Sequence, residues 1–393
     1  MTDVAVIGVG MHPWGKFPDK TFLDLGVDAV RGALDDAGLQ WTDIPAAVSG
    51  MYVWGGTDGF NAGPALAGRL GETGIPILNI FNMCATATSA FRSAYQTVAS
   101  GEQDICLALG VDVSPKGFFG LIGKETPTDT DFIRWRMIGA TNPAYWAMEA
   151  RKRMVEHGTT EEHFAMAKVA ASKHGALNPD ALYRKEYTVE EVLASPYVAD
   201  PLRLYEICAT RDGAAAAILC RADRAAEYTS KPIKVAGVGL GSSIYGDPTL
   251  RLGTVSAPAV GSAPLLSESW ASARMAYEMA GVGPEDIDFV EVPDNSSWHY
   301  LQYIETLGFA EPGEADHMLM NGDTMIGGKL PVCPSGGASS FGEAVSAEGL
   351  LQIIELVKQL RGEAGARQIE GARIGMSQTY GQLGNSSSAI LTV

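Results

Sequence analysis

Two stretches of this chain recur, in the same order, later in the sequence. Val4-Ala5-Val6-Ile7-Gly8-Val9-Gly10 is echoed by Ile233-Lys234-Val235-Ala236-Gly237-Val238-Gly239. Ala33-Leu34-Asp35-Asp36-Ala37-Gly38-Leu39-Gln40-Trp41-Thr42-Asp43-Ile44 is echoed, without a gap, by Ala276 to Ile287. In each copy an apolar strand comes first and a helix ends at Ala-Gly. A polar turn then carries an aspartate before isoleucine, and a second apolar strand follows. A duplicated βαβ-rich unit accounts for 393 residues without two unrelated domains.

The pattern between the echoes alternates. Val4–Val9 reads as a buried strand, Phe22–Ala37 as a helix stopped by Gly38, Ala46–Val53 as a strand, and Trp54–Gly63 as a glycine-rich loop. A helix is expected over Pro64–Leu70 with proline at its first position, and a strand over Asp104–Val111. Alternation of this kind predicts an α/β fold with a largely parallel sheet covered by helices. From Ser114 to Gly213 the character changes. Aromatics (Phe118, Phe119, Phe132, Trp135, Tyr145, Trp146) and basic residues (Arg134, Arg136, Arg151, Lys152, Arg153) cluster there, with helical runs such as Thr160–Ser172. We read this stretch as an insertion forming a lid. Its basic residues could meet a phosphorylated ligand or form a solvated helix face. The chain re-enters the sheet at Ala214–Leu219 and closes with a helix over Ala344–Leu360 and strands over Ala372–Met376 and Ser387–Val393. The expected organisation is an N-terminal half over 1–113 plus 214–230, the insertion over 114–213, and a C-terminal half over 231–393.

Chemistry concentrates at Asn82-Met83-Cys84-Ala85-Thr86-Ala87-Thr88-Ser89-Ala90. An apolar run, Ile77–Phe81, leads in, and helical spacing of Ala90, Phe91, Ala94, Tyr95 and Val98 leads out to Gly101. Cys84 is therefore expected on a sharp turn at a helix N-terminus. Unpaired N–H groups and the helix dipole favour a thiolate there. A cysteine in such a place can equally be a small apolar residue packing a helix start.

Net charge of −17 argues against a nucleic-acid or anionic-membrane surface. The five cysteines (Cys84, Cys106, Cys208, Cys220, Cys333) contain no CxxC pair, so zinc-ribbon spacing is absent. The opening residues do not read as a signal peptide, which suggests reduced thiols and a cytoplasmic location. No apolar run reaches the ~18 residues of a membrane span.

Four stretches, in order, make the chain resemble the thiolase superfamily, in particular the sterol-carrier-protein-type thiolases and their lipid-transfer-protein relatives. They are Asn82-Met83-Cys84 with its small-residue helix; Pro201-Leu202-Arg203-Leu204 with Asp212-Gly213-Ala214-Ala215-Ala216; Asp288 to Asp294; and Asn321 to Gly337 with its Gly327-Gly328-Lys329-Leu330-Pro331 core. The resemblance implies a five-layered αβαβα fold with two duplicated halves, here with the helical and loop insertion, and a homodimer. It implies an acyl-CoA substrate, CoA as co-substrate with no permanently bound cofactor, and an acyl group carried on Cys84. A 3-oxo carbonyl is the electrophile and backbone N–H groups hold the oxyanion.

The sequence also departs from that pattern. Where the family has His-Asp-Cys-Phe or Asn-Glu-Ala-Phe, this chain has Pro293-Asp294-Asn295-Ser296. The family's Gly-His-Pro, whose histidine activates the nucleophile, reads Gly342-Glu343-Ala344, and the second catalytic cysteine is missing from both usual places. Glu343 is the positional replacement for that histidine, able either to move protons as a buried carboxylate or to hydrogen-bond its glycine-rich turn. Asn295 could serve an oxyanion or cap the next helix. Tyr380 could donate a proton or pack, and His299 ranks below Glu343. Cys333 stands where the group commonly has asparagine and is expected to be a small buried filler.

The aromatics Trp135, Tyr145, Trp146, Tyr52 and Trp54 motivate a thiolase for a bulky or aromatic 3-oxoacyl-CoA such as benzoylsuccinyl-CoA. That resemblance implies a small zinc-ribbon/OB-fold partner subunit, which would bring any zinc. Two alternatives stand beside it. One is a retro-aldol lyase of the steroid side-chain type acting on a 3-hydroxyacyl-CoA, although Pro293 and Val345 occupy the positions of its tyrosines. The other is a non-catalytic acyl-CoA-binding scaffold.

Overall fold

Each copy of the repeat opens with a strand packed on both faces. In β1 (Val4–Gly15), Val4 and Val6 enter one apolar cluster while Ala5 and Ile7 enter another, as a period of two requires, and a register shift between Val6 and Gly8 brings Val9 to the side of Val4 and Val6. The structure, a computed structural model, describes residues 2–51, 61–114, 141–242, 267–381 and 385–393. After β1 come α1 (Phe22–Ala37), β2 (Ala47–Met51), α2 (Ala62–Leu70), β3 (Ile77–Ile80), α3 (Thr86–Ala99) and β4 (Ile105–Val113). Then follow α4 (Asn142–His157), α5 (Glu161–Leu177), α6 (Val189–Leu193), the short pair β5 (Tyr197–Ala199) and β6 (Leu202–Arg203), and β7 (Asp212–Arg221). The C-terminal half holds β8 (Ile233–Ser242), α7 (Glu268–Ala280), β9 (Phe289–Glu291), α8 (Ser297–Thr306), α9 (Ala315–Met320), α10 (Gly337–Phe341), α11 (Glu348–Arg361), β10 (Ile374–Gly381) and β11 (Asn385–Thr392).

The repeated glycines are where a helix lies on its strand. A Cβ on Gly8 would sit 2.4 Å from Ala33 O, and one on Gly237 would sit 2.2 Å from Ala276 O. Ala33 and Ala276 are themselves equivalent positions of the repeat, so α1 on β1 and α7 on β8 are the same close packing built twice. Local signals set the helix limits. Thr21 caps α1 in a box with Asp24, and Gly38 ends it at φ 65°; such a cap contributes about 1 kcal/mol.

Among the described residues nine strands join in the order β3-β2-β4-β7-β1-β8-β11-β10-β9. The expectation of a largely parallel sheet is corrected here. Only β3–β2, β2–β4 and β10–β9 are parallel, and the five pairings from β4 through β7, β1, β8 and β11 to β10 are antiparallel. The reason is that β7 returns after the insertion and slots between β1 and β4, running against both. In the second half β11 does the same between β8 and β10. The halves therefore share one strand order, β1-β7-β4-β2-β3 against β8-β11-β10-β9, and Val332 bridges Val290 in parallel where β3 would lie. They meet through two residue pairs only, Ala5 with Lys234 and Val6 with Ile233.

Three apolar clusters define five layers. One unites α1 and α2 with the outer face of the N-terminal half-sheet (Leu25, Val30, Leu107, Ile218). The central one holds α3 (Phe91, Val98) and α11 (Ile353, Leu356) between both half-sheets (Val48, Leu219, Val235, Leu391). The third covers the far face of the C-terminal half-sheet (Val290, Met376, Ile390) with α7, α8 and the insertion helices α4 and α5. The order is αβαβα, with the N-termini of α3 and α11 meeting in the middle. A Cβ on Gly349 would lie 2.1 Å from Thr88 Oγ1.

Smaller expectations shift as well. The last helix starts at Glu348, not Ala344, because Ser346 N is taken by Asp112 Oδ2 and Ala344 to Ala347 form a turn. Helix α2 starts at Ala62, so Pro64 is its third residue, still among the N–H groups without an intrahelical acceptor. The described part of the insertion docks on α8, α9 and α10 of the C-terminal half. Arg153 is neither a phosphate ligand nor a solvated residue: it is buried, bidentate to Glu305 at 2.6 and 2.7 Å, and 2.8 Å from Asp316. Arg151 pairs with Asp200 and Lys152 with Glu156. Tyr52, Trp54, Phe118, Phe119, Phe132, Arg134, Trp135 and Arg136 lie outside the described residues. No helix among the described residues is long and apolar enough to cross a membrane.

Candidate active site

The turn before α3 is tied by its own side chains. Thr86 Oγ1 accepts from Asn82 N at 2.8 Å and donates to Met83 O at 2.5 Å, while Asn82 Nδ2 donates to Ser89 Oγ at 3.0 Å. Met83 takes φ 51°, rare for a side chain of its size. The turn ends the run from β3 and leaves Cys84 partly exposed, two residues ahead of Thr86. Ala85, Ala87 and Ala90 behind it are fully buried.

The partner of this thiol comes from the equivalent place in the second copy, the loop before α11. Cys84 Sγ donates to Glu343 Oε1 at 3.1 Å. Glu343 is held by its backbone: its N–H donates to Ala209 O and its carbonyl accepts from Arg211 N, both at 2.8 Å. Gly342 allows this approach. Its φ is +80°, and a Cβ there would lie 2.6 Å from Ala209 O. The same segment is tied on its other side to the third motif, through Cys208 N to Asn295 O at 2.9 Å and a bridge between Ile207 and Ser296. Residues 207–211 thus stitch the Glu343 loop to the Asn295 loop.

Sequence reasoning passed over the residue this stitch brings in. Cys208 Sγ donates to Glu343 Oε2 at 3.7 Å, so one carboxylate stands between two thiols. Burial pushes the Glu343 carboxyl up to about 6, and hydrogen bonds from Cys84, Cys208 and Asn295 hold it down. Burial pushes Glu348 far above the ordinary carboxylate range, and the neighbouring Glu343 adds to it; Asn295 hydrogen-bonds this carboxyl too. The charge of Glu343 thus disfavours a second charge on Glu348. Asp112, buried at the end of β4, is pushed up to about 7 by burial, with the charge of Glu343 a smaller cause. Neither Glu348 nor Asp112 stands out in the sequence, since nothing local marks a carboxylate that burial will perturb.

The other expected residues gather on one side. Ser296, not Asn295, caps α8, and Asn295 turns its amide to Glu343, Glu348 and Cys208. Tyr380, on β10, accepts from Trp146 Nε1 at 3.4 Å; burial raises its phenol, and the charges of Cys84 and Glu343 reach it. His299 lies among Trp146, Trp298, Tyr303 and Tyr380, with ring centroids 4.5 to 5.9 Å away. Burial pushes it down to about 3, so it is a neutral ring bonded through Nδ1 to Ser296 Oγ at 2.8 Å. Cys333 is fully buried at φ 49°, a left-handed conformation that asparagine, its common counterpart, adopts readily. No group of three or more His, Cys, Asp or Glu among the described residues could hold a metal.

This arrangement can do one thing directly: take a proton from a partly exposed thiol at a helix N-terminus onto a buried carboxylate.

Comparison with known proteins bears on what that thiol attacks. Residues 4–116 match the family model of the thiolase N-terminal domain and residues 261–392 that of the thiolase C-terminal domain-like family. The chain is 38% identical to an acetyl-CoA acetyltransferase of Methanothermobacter thermautotrophicus, over 99% of this chain and 98% of that one. It is 34% identical to bovine (Bos taurus) sterol carrier protein 2, over 96% of this chain and 70% of that one. It is 32% identical to the benzoylsuccinyl-CoA thiolase subunit BbsB of Thauera aromatica, over 96% and 94%. Among solved structures the Ltp2-ChsH2(DUF35) aldolase superposes with a TM-score of 0.85 at 26% identity, covering 100% of this chain and 98% of that one.

Proposed function

The chain belongs to the thiolase family, and from that premise we propose that it cleaves a bulky or aromatic 3-oxoacyl-CoA with free CoA through an acyl group carried on Cys84. Acyl-CoA acyltransfer is the activity of the family. The observation that carries the finer reading is the 3.1 Å contact from Cys84 Sγ to Glu343 Oε1. Glu343 takes the thiol proton as the thiolate adds to the 3-oxo carbonyl. The bond between the second and third acyl carbons then breaks. The acyl group stays on sulfur, and the departing enolate of the shortened CoA thioester takes up a proton. The sulfur of free CoA next attacks the carbonyl carbon of the acyl-cysteine, the bond from that carbon to Sγ breaks, and the CoA thiol proton ends on Sγ, releasing a second acyl-CoA and restoring the Cys84 thiol. A large aromatic acyl group is the first to assay, with benzoylsuccinyl-CoA the substrate of choice because of the 32% identical relative.

A homodimer core and a small zinc-ribbon/OB-fold subunit belong to the same proposal. The likeness to an aldolase named together with ChsH2(DUF35) supports the second of these. It also favours one other reading, a retro-aldol lyase that needs no acyl-cysteine.

Intact-mass measurement after mixing with benzoylsuccinyl-CoA, with and without such a subunit, separates the readings. An acyl adduct that disappears in Cys84→Ala is expected. Retro-aldol cleavage needs a 3-hydroxyacyl-CoA, so cleavage of such a substrate surviving in Cys84→Ala would instead establish the lyase, and CoA binding without turnover of either substrate would leave a scaffold.

A further inference from the structure

Cys208 has no part in the chemistry just described, yet it is the second thiol on the same carboxylate. It is 5% exposed and lines a small cavity beside Lys168. Its sulfur donates to Glu343 Oε2 at 3.7 Å and receives Asn295 Nδ2 at 3.9 Å. Resting on the reading of Glu343 as base, we infer that Cys208 is a positioning residue: by occupying Oε2 it turns Oε1 to Cys84 and sets how readily that oxygen takes the proton.

A cysteine suits this task for physical reasons. Its S–H is a weak donor, so it orients a carboxylate without holding it fully ionised. Burial, and then the charges of Glu343, Glu348 and Asp294, push the Cys208 thiol far above its ordinary range. It therefore stays a thiol at neutral pH and does not compete for the Cys84 proton. Lys168 is the cation on its far side, across a cavity with room for about one water, lined also by Glu206, Asp294 and Ser297. The titratable groups facing Glu343 are Cys84 from the turn before α3, Cys208 from the stitch, Glu348 from α11, Asp112 from β4 and Tyr380 from β10. Of these only the two thiols donate a hydrogen bond to it, and Cys208 can be altered without touching the nucleophile.

The backbone places Cys208 there. Its N–H pairs with Asn295 O, and two residues on, the chain pairs with the Glu343 loop. Replacing the side chain leaves those bonds in place.

The test reads the pH profile of Cys84 alkylation by iodoacetamide, located by peptide mass spectrometry, on the full-length chain. In the wild type the rate climbs through an acid limb set by Glu343. Cys208→Val removes the donor and should move that limb up by about 0.5 pH unit; Cys208→Ser, a stronger donor, should move it down. Cys208→Ala replaces Val if the larger side chain impairs folding, judged by thermal unfolding. Shifts of opposite sign support the inference, since loss of packing alone would move both variants one way. Glu343→Gln separates the two levels of the argument. If it leaves the acid limb in place, Glu343 is not the base. If it abolishes the limb while neither Cys208 variant moves it, Glu343 stands and the role of Cys208 is overturned.

Discussion

At Glu343 two opposing effects set a usable base. Burial pushes the carboxyl up, three hydrogen-bond donors pull it back, and it comes to rest at about 6. The sign of the pH dependence follows. Below that value Glu343 is protonated and cannot accept from Cys84; above it the carboxylate is free to do so. Acylation of Cys84 should rise as pH increases through about 6 and then level off, measured by rapid-quench intact mass. Glu343→Gln should lower acylation by roughly 10²- to 10⁴-fold and erase that rise; an unchanged profile would remove Glu343 from the mechanism. Cys84 was legible from its neighbours, because a small-residue helix start is a local pattern. Glu343 was legible only as a substitution within a resembling motif. Cys208 was not legible at all, since its place depends on backbone pairing with loops far away in sequence.

Elements were easier to find than their directions. Strands and helices fall close to where apolar periodicity puts them, and α1 ends where Gly38 was expected to end it. Strand direction was misread because β7 and β11 each enter the middle of a half-sheet from outside the alternating pattern. Charge was misread for a related reason. Arg153 lies on α4 in a run of basic residues, but α4 docks on α8 and α9, which supply Glu305 and Asp316. Glu305 Oε1 also accepts from Gly313 N and Ala315 N, tying the start of α9 to the same ion cluster. Arg153→Met should therefore cost about 3–5 kcal/mol, because it strands two buried carboxylates. Urea unfolding measures this; a loss below about 1 kcal/mol would mean that the cluster relaxes into water.

The whole molecule is two copies of one unit turned so that equivalent loops face each other. The turn after the outer strand of the first copy offers the thiol of Cys84, proposed as nucleophile, and the loop before α11 of the second offers the carboxylate of Glu343, proposed as its base. Both copies also place an unusual left-handed residue after that outer strand position, Met83 in one and Cys333 in the other. The outer strand of the first copy, β3, is the last in the sheet order among the described residues; Leu78 on it is 54% exposed and Phe81 just after it 51%. An apolar edge strand invites pairing, and we propose this edge as the surface of the homodimer. Leu78→Lys combined with Phe81→Lys should give a monomer in sedimentation velocity. A dimer that persists would assign the interface elsewhere.

The amino-acid sequence by itself determined the duplication, the elements of each copy and the placing of Cys84 at a helix start, because periodicity, repeated glycines and a helix-start motif are all local. Tertiary structure decided how the strands run, which cation is buried and which side chain lies against Cys84 Sγ. These depend on contacts between segments far apart in sequence: β7 and β11 entering the half-sheets, α4 meeting Glu305 and Asp316, and residues 207–211 pairing with two distant loops. Such contacts leave no periodic trace along the chain.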